Sequence, residues 1–114
     1  MQERRQQIRV KTPVLIEFPN PVSMKTERTF TQDVSDTGVR FPTEVKLQVG
    51  QELPLTFELP YERTPFHATG RVIWIREISR MGGGSQYDVG LTFRWIEDPD
   101  RNRLERFLQT VFTT

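Results

Sequence analysis

The sequence predicts an all-β dominated domain, a six-stranded antiparallel β-barrel with a C-terminal α-helix, and three observations carry that expectation. Proline, glycine and polar clusters recur about every ten residues, the spacing of short strands and turns. Between them Ile, Val, Phe, Thr and Trp are abundant, residues that fit a pleated, half-buried surface. The tail then changes period, with Leu104, Phe107, Leu108, Val111 and Phe112 falling at i, i+3, i+4, i+7 and i+8. That is one face of an amphipathic helix of about four turns.

The elements follow in order. Strands are predicted near 9–18, 24–34, 38–42, 52–59, 66–77 and 86–95. "GRVIWIRE" and "YDVGLTFRW" flank "ISRMGGGSQ" and read as one hairpin with a flexible tip. Strict alternation puts Val72, Trp74 and Arg76 on one face, and Ile73, Ile75 and Glu77 on the other. Asp98 is the predicted N-cap, Pro99 opens the helix and Asp100 sits in its first turn. The helix is expected over 99–113, its stripe covered by the sheet or by a second copy. Residues 1–8 are read as a flexible basic arm, and 9–114 as the barrel with its helix.

The 114 residues suit one domain, able to hide roughly two thirds of the surface it exposes unfolded. The chain has no cysteine and one histidine, which leaves no disulfide, no thiolate and no structural zinc set. Its longest apolar runs are "VLI" and "VIWI", far short of the about 20 residues a membrane helix needs. No apolar signal core follows the basic start. The expectation is a cytoplasmic domain without a membrane span, as monomer or dimer.

The net charge is +1, but it is unevenly spread. Arg4, Arg5, Arg9 and Lys11 stand against Glu3 alone in the first eleven residues. Local basicity of this kind suits a small anion better than a long polyanion.

Two stretches carry candidate chemistry. In "ERRQQIRV", Arg5 and Arg9 lie four apart. That spacing puts them on one side of a helix, or of an extended segment at about 13 Å. Arginine's fork of donors matches phosphate and the O6/N7 edge of guanine. A solvated basic terminus accounts for the same residues. In "TQDVSDTGVRF", Asp33 and Ser35 share a strand face and Asp36-Thr37-Gly38 makes a turn. Gly38 is expected to adopt positive φ or to admit a close backbone approach. An ordinary turn with local Asp and Ser bonds accounts for this stretch too. Together they are suited to a phosphorylated guanine. The arginines donate to phosphate and the Hoogsteen edge, and a carboxylate accepts from N1–H and N2–H₂, a pairing adenine does not offer.

"RQQIR" (5–9) followed by "DVSDTG" (33–38) resembles the paired RxxxR and (D/N)xSxxG motifs of PilZ domains. "GVRF", "GRVIW", "YDVGLTF" and the final helix also sit where that family places such elements, so the resemblance covers nearly the whole chain. It implies a six-stranded barrel with a C-terminal helix, a bacterial receptor for cyclic di-GMP and not an enzyme. Carried onto these positions, Arg5 and Arg9 clasp phosphates and guanine edges. Asp33 and Ser35 bond guanine and nearby ligand groups, and Gly38 keeps the surface open. Arg4 stacks on a guanine and favours an intercalated ligand pair. Any effect is expected to pass through a protein partner, with no cofactor beyond the ligand.

The remaining candidates have plainer explanations. His67 lacks an oriented partner in the sequence and is read as structural or exposed. "GGGS" (82–85) leads into a strand, whereas phosphate-cradling loops lead into a helix. Trp74 and Trp95 are read as core or rim residues, with ligand stacking as the minority reading. Two rival functions stand beside the receptor: an interaction module of the same fold that binds no nucleotide, and a small barrel for single-stranded nucleic acid. The near-neutral charge speaks against the second.

Overall fold

The computed structural model describes residues 8–113, and within them eight strands precede one helix. The strands are β1 (Arg9–Val10), β2 (Leu15–Pro19), β3 (Thr26–Phe30), β4 (Asp33–Ser35), β5 (Gly38–Thr43), β6 (Glu52–Glu58), β7 (Phe66–Ser79) and β8 (Ser85–Ile96). The helix α1 spans Asp98–Thr113. All pairings are antiparallel, in the order β1-β4-β5-β8-β7-β6-β2-β3.

Two of the six expected strands are broken, which makes eight. The 9–18 segment parts at residues 11–14, and the 24–34 segment at Thr31 and Gln32. Pro13 explains the first break, because it has no N–H for a ladder and restricts the residue before it. The second break lies beside the first and is stitched to it. The Val14 N–H donates to Thr31 Oγ1 at 2.9 Å, that hydroxyl donates to the Thr12 carbonyl at 2.7 Å, and the Thr31 N–H donates to the Val14 carbonyl at 3.0 Å.

This double break organises the whole sheet. Its ladder does not close, since β1 and β3 are its two edges. Each edge is half of one interrupted antiparallel pair, β1 with β4 at one end and β2 with β3 at the other. The chain crosses between the edges twice, through 11–14 and 31–32. A bond from Thr29 Oγ1 to the Pro42 carbonyl at 2.8 Å also spans the gap. The sheet therefore wraps around a core as a barrel does, with connecting chain in place of the last ladder.

The core follows the period of two. Ile16 and Phe18 of β2, Leu53, Leu55 and Phe57 of β6, Phe66, Ala68 and Val72 of β7, and Val89 and Leu91 of β8 all point inward. Phe57 stacks on Phe66 with centroids 4.8 Å apart and takes the edge of Phe93 at 5.7 Å, geometries that add to plain burial. Leu47, in the 44–51 loop, is buried in the same cluster.

Alternation fails at one place in β7. Val72 pairs with Leu91 but Trp74 pairs with Gly90, so Ile73 is an extra residue in a bulge. Val72 therefore faces the core while Trp74 and Ile73 face out, which corrects the expectation that Val72 and Trp74 share a face. Neither Trp74 nor Trp95 belongs to the core, at 39% and 56% exposed. Trp74 instead covers the backbone of Gly90, where an added Cβ would lie 2.2 Å from the indole Nε1.

The helix lies against the barrel. Leu104 and Leu108 are buried in the main core, with Phe107 and Val111 partly so, while Phe112 stays exposed. Arg103 pins α1 to the loop between β6 and β7 through Glu62 at 2.7 Å and the Thr64 carbonyl, above the Phe66 ring. Among the described residues no helix is long and apolar enough to cross a membrane.

Burial separates two residues of the same helix stripe. Leu104→Ala should cost about 2–5 kcal/mol of stability, as truncations of well-packed leucines do. Phe112→Ala should stay within about 0.5 kcal/mol. Urea denaturation of the two variants checks the contrast, and equal losses would contradict this placement of the helix.

Candidate functional site

The β1–β4 pair brings together residues far apart in sequence. Arg9 is directly opposite Ser35, and Val10 opposite Val34. Val34 is fully buried in the core, so its neighbours Asp33 and Ser35 point to the other face, beneath the Arg9 side chain. The Arg9 guanidinium forms an ion pair with Asp33 Oδ1 through Nη1, and its Nη2 donates to Ser35 Oγ at 3.4 Å. Arg9 is half exposed, whereas Asp33 and Ser35 are buried. The cation lies over the carboxylate and hydroxyl as a partial cover.

Ser35 also builds the turn that follows. Its Oγ accepts the Thr37 N–H at 3.2 Å and the Gly38 N–H at 3.1 Å, a hydroxyl-centred turn that satisfies backbone donors locally. Gly38 serves a close approach and not positive φ. A Cβ there would lie 2.2 Å from the Leu91 carbonyl oxygen. Its missing side chain lets the β8 backbone come up beside β5, where Gly38 pairs with Thr92. The Thr37 carbonyl accepts from the Phe93 N–H at 2.8 Å and from Thr92 Oγ1 at 3.1 Å. Arg101 of α1 reaches the same turn, donating to the Asp36 carbonyl at 3.3 Å.

The site extends further than the two motifs. Arg40 is the direct cross-strand partner of Asp33, and its Nη1 lies 3.7 Å from Asp33 Oδ2. The rest of that guanidinium is bound to Asp88, with Nε at 2.9 Å and Nη2 at 2.8 Å from Oδ2. Arg76 Nη2 donates to the same Oδ2 at 3.1 Å. Asp88 is 1% exposed, and a carboxylate so buried is tolerable only because two cations bond it. Hydrogen bonding to Asp88 holds the Arg40 pKa above its usual value, against the opposing effect of burial and with help from the charges of Asp88 and Asp33. The result is a chain of alternating charge, Arg9–Asp33–Arg40–Asp88–Arg76, on the outward face.

Directly paired residues of an antiparallel sheet share a face. Asp33, Arg40, Gly90 and Trp74 therefore form one row across four strands. Gly90 contributes no side chain, so the indole of Trp74 continues this surface.

Of the expected site residues, Arg9, Asp33, Ser35 and Gly38 converge here. Arg4 and Arg5 lie outside the described residues. Arg40, Asp88 and Arg76 are outside the set expected from the sequence, where Trp74 has ligand stacking only as its minority reading. A signal existed for two of them. Arg40 follows Gly38 by two and so shares its strand face, and Asp88 is a lone charge in the otherwise uncharged "YDVGLTF". His67 is exposed, with Nδ1 3.2 Å from Thr56 Oγ1. Among the described residues no cluster of histidine and carboxylates could hold a metal ion.

The PilZ domain family profile matches residues 3–110. Among the solved structures that share the fold are three from different bacteria. The inhibitor of motility MotI/DgrA of Bacillus subtilis is 18% identical with a TM-score of 0.76, covering 98% of this chain and 53% of that one. K. pneumonia MrkH in its apo state is 18% identical with a TM-score of 0.77, covering 99% and 54%. The PilZ domain of Escherichia coli YcgR, solved with c-di-GMP, is 18% identical with a TM-score of 0.68, covering 95% and 91%. The chain thus spans about half the length of the MotI/DgrA and MrkH chains. No curated protein matches by sequence.

The close approach at Gly38 gives a test of its own. Gly38→Ala should destabilise the protein by about 1–3 kcal/mol, because the atom in the way is backbone and β5 must move off β8. An unchanged urea midpoint, measured with no ligand present, would refute this packing role.

Proposed function

Because the chain belongs to the PilZ domain family, we propose that it is a receptor for cyclic di-GMP that signals through a protein partner. The observation that carries the reading is the convergence of Arg9, Asp33 and Ser35 in one cluster, although 24 and 26 residues separate Arg9 from the other two. A guanine nucleotide with phosphodiesters can use each of these groups. Arg9 offers a fork to a phosphate. Asp33 offers two acceptor oxygens to the guanine N1–H and N2–H₂, and Ser35 a hydroxyl to a neighbouring ligand group. Structures of YcgR and MrkH with c-di-GMP show that relatives of this fold take that ligand.

Binding on this reading is an exchange. Arg9 gives up part of its bond to Asp33 and gains a phosphate, while Asp33 gains a base. One charge-assisted bond replaces another, so the net gain per group is modest and several contacts are needed together. Arg4 and Arg5 supply further cations for the two phosphates. Each residue that a ligand orders costs about 1–2 kcal/mol of backbone entropy, and the expected affinity is roughly micromolar to sub-micromolar. The ligand shifts the protein only by its differential affinity for the two forms. The Asp36–Gly38 turn touches α1 through Arg101, so a change at the site has a direct route to the helix that a partner would read. The receptor acts by binding, without catalysis, in the cytoplasm.

Titration calorimetry with cyclic di-GMP checks this, with GTP and cyclic di-AMP as controls. Arg9→Ala should weaken binding tenfold or more, the loss of one charge-assisted contact of about 1.5–3 kcal/mol. Asp33→Ala should also weaken it while the melting curve stays cooperative. No heat with the unaltered protein at high micromolar concentration would sink the proposal.

A further inference from the structure

We propose that Arg40 is a positioning residue for guanine selectivity: anchored on Asp88, it holds the Asp33 carboxylate in place when Arg9 turns to phosphate. The inference rests on the cyclic di-GMP reading and deepens it.

Asp33 lies between two cations with different freedom. Arg9 is half exposed at the sheet edge, on a two-residue strand. Arg40 is fixed from behind. Its Nε and Nη2 are bonded to Asp88, which leaves Nη1 directed at Asp33 Oδ2, 3.7 Å away. Asp88 is itself almost fully buried and bonded by Arg76, so neither it nor Arg40 is free to follow a ligand. A planar guanidinium bonded on one side has little rotational freedom left for its third nitrogen.

This matters because two kinds of contact do different work. Phosphate contacts are common to every cyclic dinucleotide. The paired N1–H and N2–H₂ donors belong to guanine, and meeting both requires a carboxylate held in the base plane. Once Arg9 leaves, Arg40 is the remaining described cation within ion-pair distance of Asp33. Loss of Arg40 thus leaves the phosphate contacts of Arg9 intact and disorders the base-reading group. The resulting defect is in selectivity more than in general anion binding.

The test compares cyclic di-GMP with cyclic di-IMP, which keeps N1–H but lacks the 2-amino group. Titration uses the unaltered chain, Arg40→Gln, and the double variant Arg40→Gln/Asp88→Asn. The double variant removes the buried charge that the single change leaves under-bonded, so it preserves the fold. In both variants the preference for cyclic di-GMP should shrink at least fivefold, and cyclic di-IMP, which keeps one of the two donors that Asp33 meets, should weaken by less than cyclic di-GMP does. Equal weakening of both ligands would make Arg40 a general cation or a fold residue and overturn the proposal, as would an unchanged preference. Failure of the unaltered chain to bind cyclic di-GMP is a different result, which removes the receptor reading and this inference with it.

Discussion

The paired break at Pro13 and Thr31 is the constraint on which the other features depend. Thr31 is buried, and its hydroxyl and N–H bond the backbone of residues 12 and 14. These bonds satisfy groups that a continuous ladder would otherwise serve, as buried backbone polar groups require. They let two long segments bend together and share out their halves between the two edges of the sheet. Without the bend, β1 and β4 would continue β2 and β3 and lie far from β5. With it, Arg9 and Asp33 come to rest beside Arg40 and β8.

The second layer of organisation is electrostatic. Two carboxylates, Asp33 and Asp88, are buried on the outer face of the sheet, and three arginines cover them. Buried ion pairs of this kind offset their own desolvation more than they add stability. Their physical consequence is orientation. Asp88 keeps Arg40 in one place, while Arg9 and Arg76 are the two more exposed ends of the chain of charges. The doubly anchored Arg40 sits toward the middle of the sheet, and Arg9 sits at its edge on the two-residue β1.

Much of this was legible in the residues. The helix was, because Leu104, Phe107, Leu108 and Val111 repeat at helical spacing and Asp98 and Asp100 lie at its start. So was the β7–β8 hairpin, and so was the partnership of Arg9 with Asp33 and Ser35, through the resemblance of their two motifs to a known family. The eight-strand count was not. Pro13 signals a break, but Thr31 and Gln32 resemble ordinary strand residues, and their departure depends on a bond partner 17 or more residues away. The bulge at Ile73 was not legible either, because "VIWI" reads as plain alternation. It is decided by the packing of Trp74 over Gly90 on the neighbouring strand.

Local chemistry alone therefore determined the strand-rich class, the terminal helix, the turn at residues 36–38 and the kinds of donor and acceptor that the two motifs carry. Periodicity, turn residues and donor types act over a few neighbours and are written in the order of the chain. The tertiary structure decided which strands lie side by side, and so it decided that Arg40, Asp88 and Arg76 share the face of Asp33. Those three residues come from strands that meet only through cross-strand register. Register is set by burial of Val39, Leu91 and Val72 on the opposite face, since a slip of one residue would turn every side chain over.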